Sequence, residues 1–114
     1  MGESMISLAL ASMLLAAQSG QAISQSRQAY ADCMNRAMRA HLERKASPAV
    51  FDTAVSSSCA AQAAAYRSAV LAAETAAGST PADAAELATL EVEDLETNTR
   101  DLYRAHLEDG TRPE

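Results

Sequence analysis

An all-α fold is predicted for this chain of 114 residues: an up-down-up three-helix bundle, with helices over 24–45, 48–77 and 81–109, stapled by one interhelical disulfide. Three observations predict it. Ala is the commonest residue, and it enters helices at no cost in side-chain entropy. Phe51, Val55, Cys59, Gln62, Tyr66, Val70 and Ala73 recur at spacings of four and three, one continuous face of an amphipathic helix. Cys33 and Cys59 stand almost equally far from Ser47-Pro48, their midpoint in sequence being residue 46. A chain reversal there brings both thiols to one height on facing helices, where Cα atoms can approach to about 6 Å. A long helical hairpin with a detached third helix is the alternative architecture.

Residues 1–22 differ from the rest. The run ISLALASMLLAA (6–17) is apolar and uncharged, and Gly20-Gln21-Ala22 then offers small residues where a signal peptidase cuts. The run falls short of the roughly 20 residues of a spanning helix. Residues 1–22 are therefore expected to be a signal peptide, cleaved before Ile23, leaving no stable membrane insertion. Ala17-Gln18-Ser19 is a second possible cut. The segment ahead of Ile6 carries Glu3 and no Lys or Arg, a departure from the usual basic start.

The first helix of the mature chain sets Tyr30, Cys33, Met34, Ala37, Met38 and His41 or Leu42 along one side. It closes in Arg44-Lys45, cations that suit the negative end of a helix dipole. Ser47 is an N-cap with Pro48 at the first helical position, where a missing N–H costs nothing. Gly78 ends the second helix, and Thr80-Pro81-Ala82-Asp83 opens the third with a capping-box-like pattern. Leu87, Leu90, Leu95, Leu102 and Leu107 form the apolar stripe expected on that helix. Gly110 stops it, and residues 111–114 are expected to fray. Mirroring positions about the two turns puts Cys59 level with Cys33 and Thr99, and Asp52 level with Ala40 and His106.

Composition limits the core. Phe51, Tyr30, Tyr66 and Tyr103 are the only aromatic residues, so little apolar area is buried per residue and a covalent staple counts for much. Cys33 and Cys59 have no neighbouring His and no Cys-x-x-Cys spacing, which points to a structural bridge in an oxidising compartment rather than to redox chemistry. Charge is uneven. Residues 23–46 carry net +3, residues 47–79 net −1, and residues 80–114 net −7, with Glu91, Glu93, Asp94 and Glu96 nearly contiguous. That acidic run is expected to be a solvated face complementing the basic first helix. It is also the candidate surface for a cationic protein partner. An acidic chain argues against nucleic acid as a ligand.

One local repeat stands out. Arg39-Ala40-His41-Leu42-Glu43 recurs letter for letter as Arg104-Ala105-His106-Leu107-Glu108, and in an up-down-up bundle both copies lie at one end, near Asp52. His41, His106 and Asp52 are accordingly the candidate zinc or copper ligands. The plainer role for each His is to stabilise a helix C-terminus. No cofactor is implied, and no catalytic residues are assigned. The sequence has no Gly-rich phosphate loop, no nucleophile elbow and no Cys–His pairing, and Ser56-Ser57-Ser58 points three ways around a helix.

Tyr30-Ala31-Asp32-Cys33, Pro48-Ala49-Val50-Phe51, Cys59 and Tyr66-Arg67 resemble small, uncharacterised exported bacterial proteins with one cysteine in each arm of a helical hairpin. Glu93-Asp94 through Asn98 to Asp101-Leu102-Tyr103 is similar in flavour. The chain departs from twin Cys-x9-Cys hairpin proteins, which carry two cysteines per helix. The resemblance implies a helical fold and a periplasmic or secreted location, and no activity. The expectation is a non-enzymatic exported helical protein, an interaction or accessory module of the cell envelope; the alternative is a small-ligand or metal-binding bundle using the His41/His106 end.

Overall fold

The computed structural model describes the backbone of residues 2–114 and the side chains of residues 18–114. The proposed leader falls largely on residues 1–17, so its apolar side chains lie outside the described ones. Four helices follow one another: α1 (Gly2–Glu43), α2 (Pro48–Ser58), α3 (Ala60–Ala76) and α4 (Pro81–Asp109). Among the described residues there is no strand, and no helix is long and apolar enough to cross a membrane.

The expectation of three helices is corrected to four. The second arm breaks at Cys59, whose backbone (φ −116°, ψ 23°) ends α2 and begins α3 without a side-chain cap. No Pro or Gly lies nearby to cause this. The Ser57 hydroxyl instead bonds back to the carbonyls of Thr53 (3.4 Å) and Ala54 (3.2 Å), a competition with the main-chain ladder that bends helices. Cys59 is also tied sideways to Cys33, with Cα atoms 5.9 Å apart.

Helix ends follow local chemistry. Ser47 and Thr80 cap α2 and α4, their hydroxyls accepting from the Val50 and Asp83 amides, with Pro next in both cases. The first helix runs from Gly2 to Glu43 rather than over 24–45, continuing through residues 18–23 without a break. It ends at Glu43 because Lys45 takes a left-handed conformation (φ 51°). There the Ala46 amide donates to His41 O and the Lys45 amide to Leu42 O, both at 3.0 Å, the paired bonds of a Schellman close. Gly78 (φ 97°) plays the same part after α3, with the Ser79 and Gly78 amides returning to Glu74 O and Thr75 O.

Contacts along the arms give their directions. Cys33 meets Cys59, Tyr30 meets Tyr66 (6.4 Å between rings) and His41 meets Phe51 (5.6 Å), so α2 and α3 run back along α1. Tyr66 meets Glu91, and Asp52 meets Arg104, so α4 turns again and runs parallel to α1. The core holds Tyr30, Met34 and Met38 of α1, Phe51 and Val55 of α2, Tyr66 and Val70 of α3, and Tyr103 of α4. Phe51 and Tyr103 stack at 4.1 Å, and the Tyr103 hydroxyl donates to Ala46 O, fastening α4 to the first turn.

The stripe expected on α4 is also corrected. Leu87, Leu90 and Leu102 are exposed, and only Leu95 and Leu107 pack partly against the core. The buried positions of α4 are Ala84, Ala88, Thr99 and Tyr103. Small residues at 84 and 88 let this end of α4 approach the bundle closely. Leu87 stands one residue before Ala88 and Leu90 two residues after it, so both are turned away from that buried face.

Candidate functional site

The Cys33–Cys59 bridge lies inside the helical packing, Cys59 fully buried and Cys33 nearly so. Tyr30 and Met34 flank it on α1, and Val55 precedes it on α2. Buried sulfur beside apolar and aromatic side chains is placed for cross-linking and poorly placed for thiol exchange, which needs an attacking thiolate to reach it.

At the end carrying the repeated pentapeptide, the two copies do different things. Nδ1 of His41 donates to Ala37 O at 2.7 Å, and its ring meets the edge of Phe51. His106 sits one turn from the C-terminus of α4, with Nδ1 2.8 Å from the Thr111 hydroxyl. It lines a cleft of about 550 Å³ with Leu42, Glu43, Lys45 and Arg112, a cleft His41 does not enter. Arg39 donates to the Glu114 carbonyl (2.7 Å), whereas Arg104 binds the Asp52 carboxylate (3.0 Å).

Asp52, the third proposed metal ligand, is surrounded by cations. Its Oδ1 lies 3.7 Å from Nε of Arg100 and its Oδ2 3.0 Å from Nη2 of Arg104. Arg100 also donates to Asp52 O (3.1 Å) and Ser56 Oγ (2.9 Å), and lies 3.6 Å from Glu96. One guanidinium thus joins α4 to α2. The structure assigns His41, His106 and Asp52 to separate partners: a helix carbonyl, a hydroxyl and two arginines. Among the described residues no three His, Cys, Asp or Glu side chains gather as a metal-binding group.

The acidic run on α4 divides in two. Glu91 accepts from the Tyr66 hydroxyl (3.1 Å) and Glu96 from the Tyr30 hydroxyl (3.0 Å), so these two carboxylates satisfy buried phenols of the facing helices. Glu93 and Asp94 point to solvent. Burial first, then the charge of Glu96 and its hydrogen bond, pushes the Tyr30 phenol well above its ordinary pKa. Burial and then the bond to Glu91 raise Tyr66, with Arg27 acting in the opposite direction. Burial raises Tyr103.

These tyrosine–carboxylate links were not read from the sequence, although a signal for them existed. A buried tyrosine needs an acceptor, and α4 supplies carboxylates at the heights of Tyr30 and Tyr66. The exposed leucines were missed as well. Leu87 and Leu90 rim a shallow groove with Glu74, Ser79, Asp83 and Glu86, next to the α3–α4 turn. Comparison with protein-family models, with curated proteins and with solved structures finds no match to this chain.

Proposed function

We propose that this chain is an exported, non-enzymatic helical module of a bacterial cell envelope, which works by docking other proteins. The observation that carries the reading is the Cys33–Cys59 bridge, buried between α1 and the junction of α2 and α3. A structural disulfide persists where thiols are not kept reduced. The apolar run at 6–17 followed by Gly20-Gln21-Ala22 supports the same compartment from the sequence side.

Binding rather than turnover is favoured by how the polar side chains are used. Tyr30, Tyr66 and Tyr103 donate to acceptors that hold helices together, and Arg100 joins α4 to α2. These groups are committed to structure. Exposed leucines beside acidic residues leave α4 as the surface with something to offer a partner.

Cell fractionation tests the reading. Protein recovered from the envelope should begin at Ile23 by mass spectrometry, and alkylation under denaturing, non-reducing conditions should find no free thiol. An intact Met1 in the soluble cytosolic fraction, with both thiols alkylated, would overturn it.

A further inference from the structure

We infer that the groove around Leu87 and Leu90 on α4 binds a cationic amphipathic helix of a partner protein. The inference rests on the docking role proposed above and names the surface and the chemistry of its occupant. Leu87 and Leu90 are 36% and 46% exposed, large apolar side chains three residues apart on one outward face. Asp83 lies one turn before Leu87 and Asp94 about one turn after Leu90 on that same face, while Glu86 and Glu74 border the groove at the side. The apolar pair is framed by carboxylates.

The charge of this frame is left open by the molecule itself. Between Arg67 and Arg100 the sequence holds seven acidic residues and no Lys or Arg. Farther along α4, Arg100 and Arg104 pair with Asp52, Glu96 and Asp101, and Arg112 pairs with Glu43. Among the described residues no cation pairs with Asp83, Glu86 or Asp94, although Glu74 accepts from the Ser79 hydroxyl at 2.9 Å. The cations that α4 itself carries thus sit toward one end and the exposed leucines toward the other, and the nearby Arg67 of α3 donates to the Thr89 hydroxyl (3.3 Å) rather than to these carboxylates.

That combination selects the occupant. A plain polycation would find carboxylates and leave the leucines wet. An apolar helix would cover the leucines and desolvate carboxylates without partners. A helix with two apolar side chains one turn apart, flanked by Lys or Arg, satisfies both. A second copy of this chain, meeting the first through the same face, would set Asp83 against acidic residues across a two-fold axis and be repelled.

The test uses the purified mature protein and a fluorescent synthetic peptide of about 18 residues, some five helical turns, with Leu at i, i+3, i+4 spacing and Lys elsewhere. Fluorescence anisotropy should show saturable binding that weakens with added salt. An all-Lys peptide of equal length should bind at least about tenfold more weakly. Leu87→Ser with Leu90→Ser should weaken binding of the Leu/Lys peptide by about tenfold or more. Asp83→Asn with Asp94→Asn should do the same and flatten the salt dependence. Leu102→Ser, another exposed leucine of α4, should leave binding unchanged. Circular dichroism checks that each variant folds, and the charge pair carries the test if the leucine pair does not.

Equal binding of the all-Lys peptide, or equal loss in Leu102→Ser, would overturn the assignment. So would a dimer in sedimentation that Leu87→Ser with Leu90→Ser abolishes, which would put a second copy on the groove. Failure here leaves the exported module standing, because the N-terminus and thiol state of the envelope protein are measured independently.

Discussion

Replacing both cysteines by alanine removes the one covalent constraint among the helices, and the cost can be worked from the structure. The bridge closes a loop with a sequence separation of 26. In the chain-entropy model such a closure raises the free energy of the unfolded chain by about 3.5 kcal/mol at 25 °C. The folded state loses something too, since Cys59 is fully buried and Cys33 is 9% exposed, and deleting two buried sulfur atoms costs about 1 kcal/mol more. A total of about 4.5 kcal/mol is a large part of the roughly 5–15 kcal/mol that holds a small domain together. Near 4 °C per kcal/mol for a domain of this size, the melting temperature should fall by about 18 °C. Thermal circular dichroism of Cys33→Ala with Cys59→Ala against wild type measures it. Wild type melted in strong reductant should show nearly the same loss, because most of the effect resides in the unfolded chain. A double mutant melting within about 2 °C of the oxidised protein would refute the reasoning.

Alkali should unfold the protein ahead of general base damage. Burial raises the phenols of Tyr30, Tyr66 and Tyr103 above their ordinary 10.0, so the folded state keeps protons that the unfolded chain releases. The stabilisation is full below about pH 10 and is lost as pH climbs beyond it; urea midpoints that stay level from pH 9 to 11 would count against this. Tyr103→Phe orphans the Ala46 carbonyl at the first turn and should cost about 1–2 kcal/mol by urea denaturation. Lys45→Gly relieves a left-handed residue and should stabilise by about 0.5–1 kcal/mol, net of the added freedom of glycine when unfolded. Micromolar zinc should leave the melting temperature unchanged, and a rise that disappears in His41→Ala with His106→Ala would restore the metal-ligand expectation.

What the sequence could say depended on how local the cause was. Ser47-Pro48 and Thr80-Pro81 declare helix starts because capping is settled within four residues. The inward face of the second arm was legible from Phe51 to Val70 because its spacing is helical throughout. The break at Cys59 was not, since it arises from a serine bonding backwards and from a partner 26 residues away, with no Pro or Gly to mark it. The third helix misled for a different reason. Leucine looks like core and alanine like filler, yet close approach at Ala84 and Ala88 buries the small residues and turns Leu87 and Leu90 outward. The acidic run was seen as one feature. Tertiary geometry then assigned Glu91 and Glu96 to buried hydroxyls and left Glu93 and Asp94 in water. The His-bearing repeat was legible as text and as an end of the molecule, while its two copies took unrelated partners.

The break and the bridge coincide at one residue, and this gives the molecule a mechanical boundary. Everything from Cys33 to Cys59, the end of α1 with its turn and the whole of α2, lies inside the covalent loop, while α3 and α4 lie outside it. Tension applied at the two termini passes through the sulfur atoms and never reaches the enclosed segment. Pulling strips α4 and α3 from the bundle, yet about 90 Å of extensible chain stays hidden behind the 26-residue separation. The hairpin of α1 and α2 is thereby a clasp that force cannot open and only a reductant can.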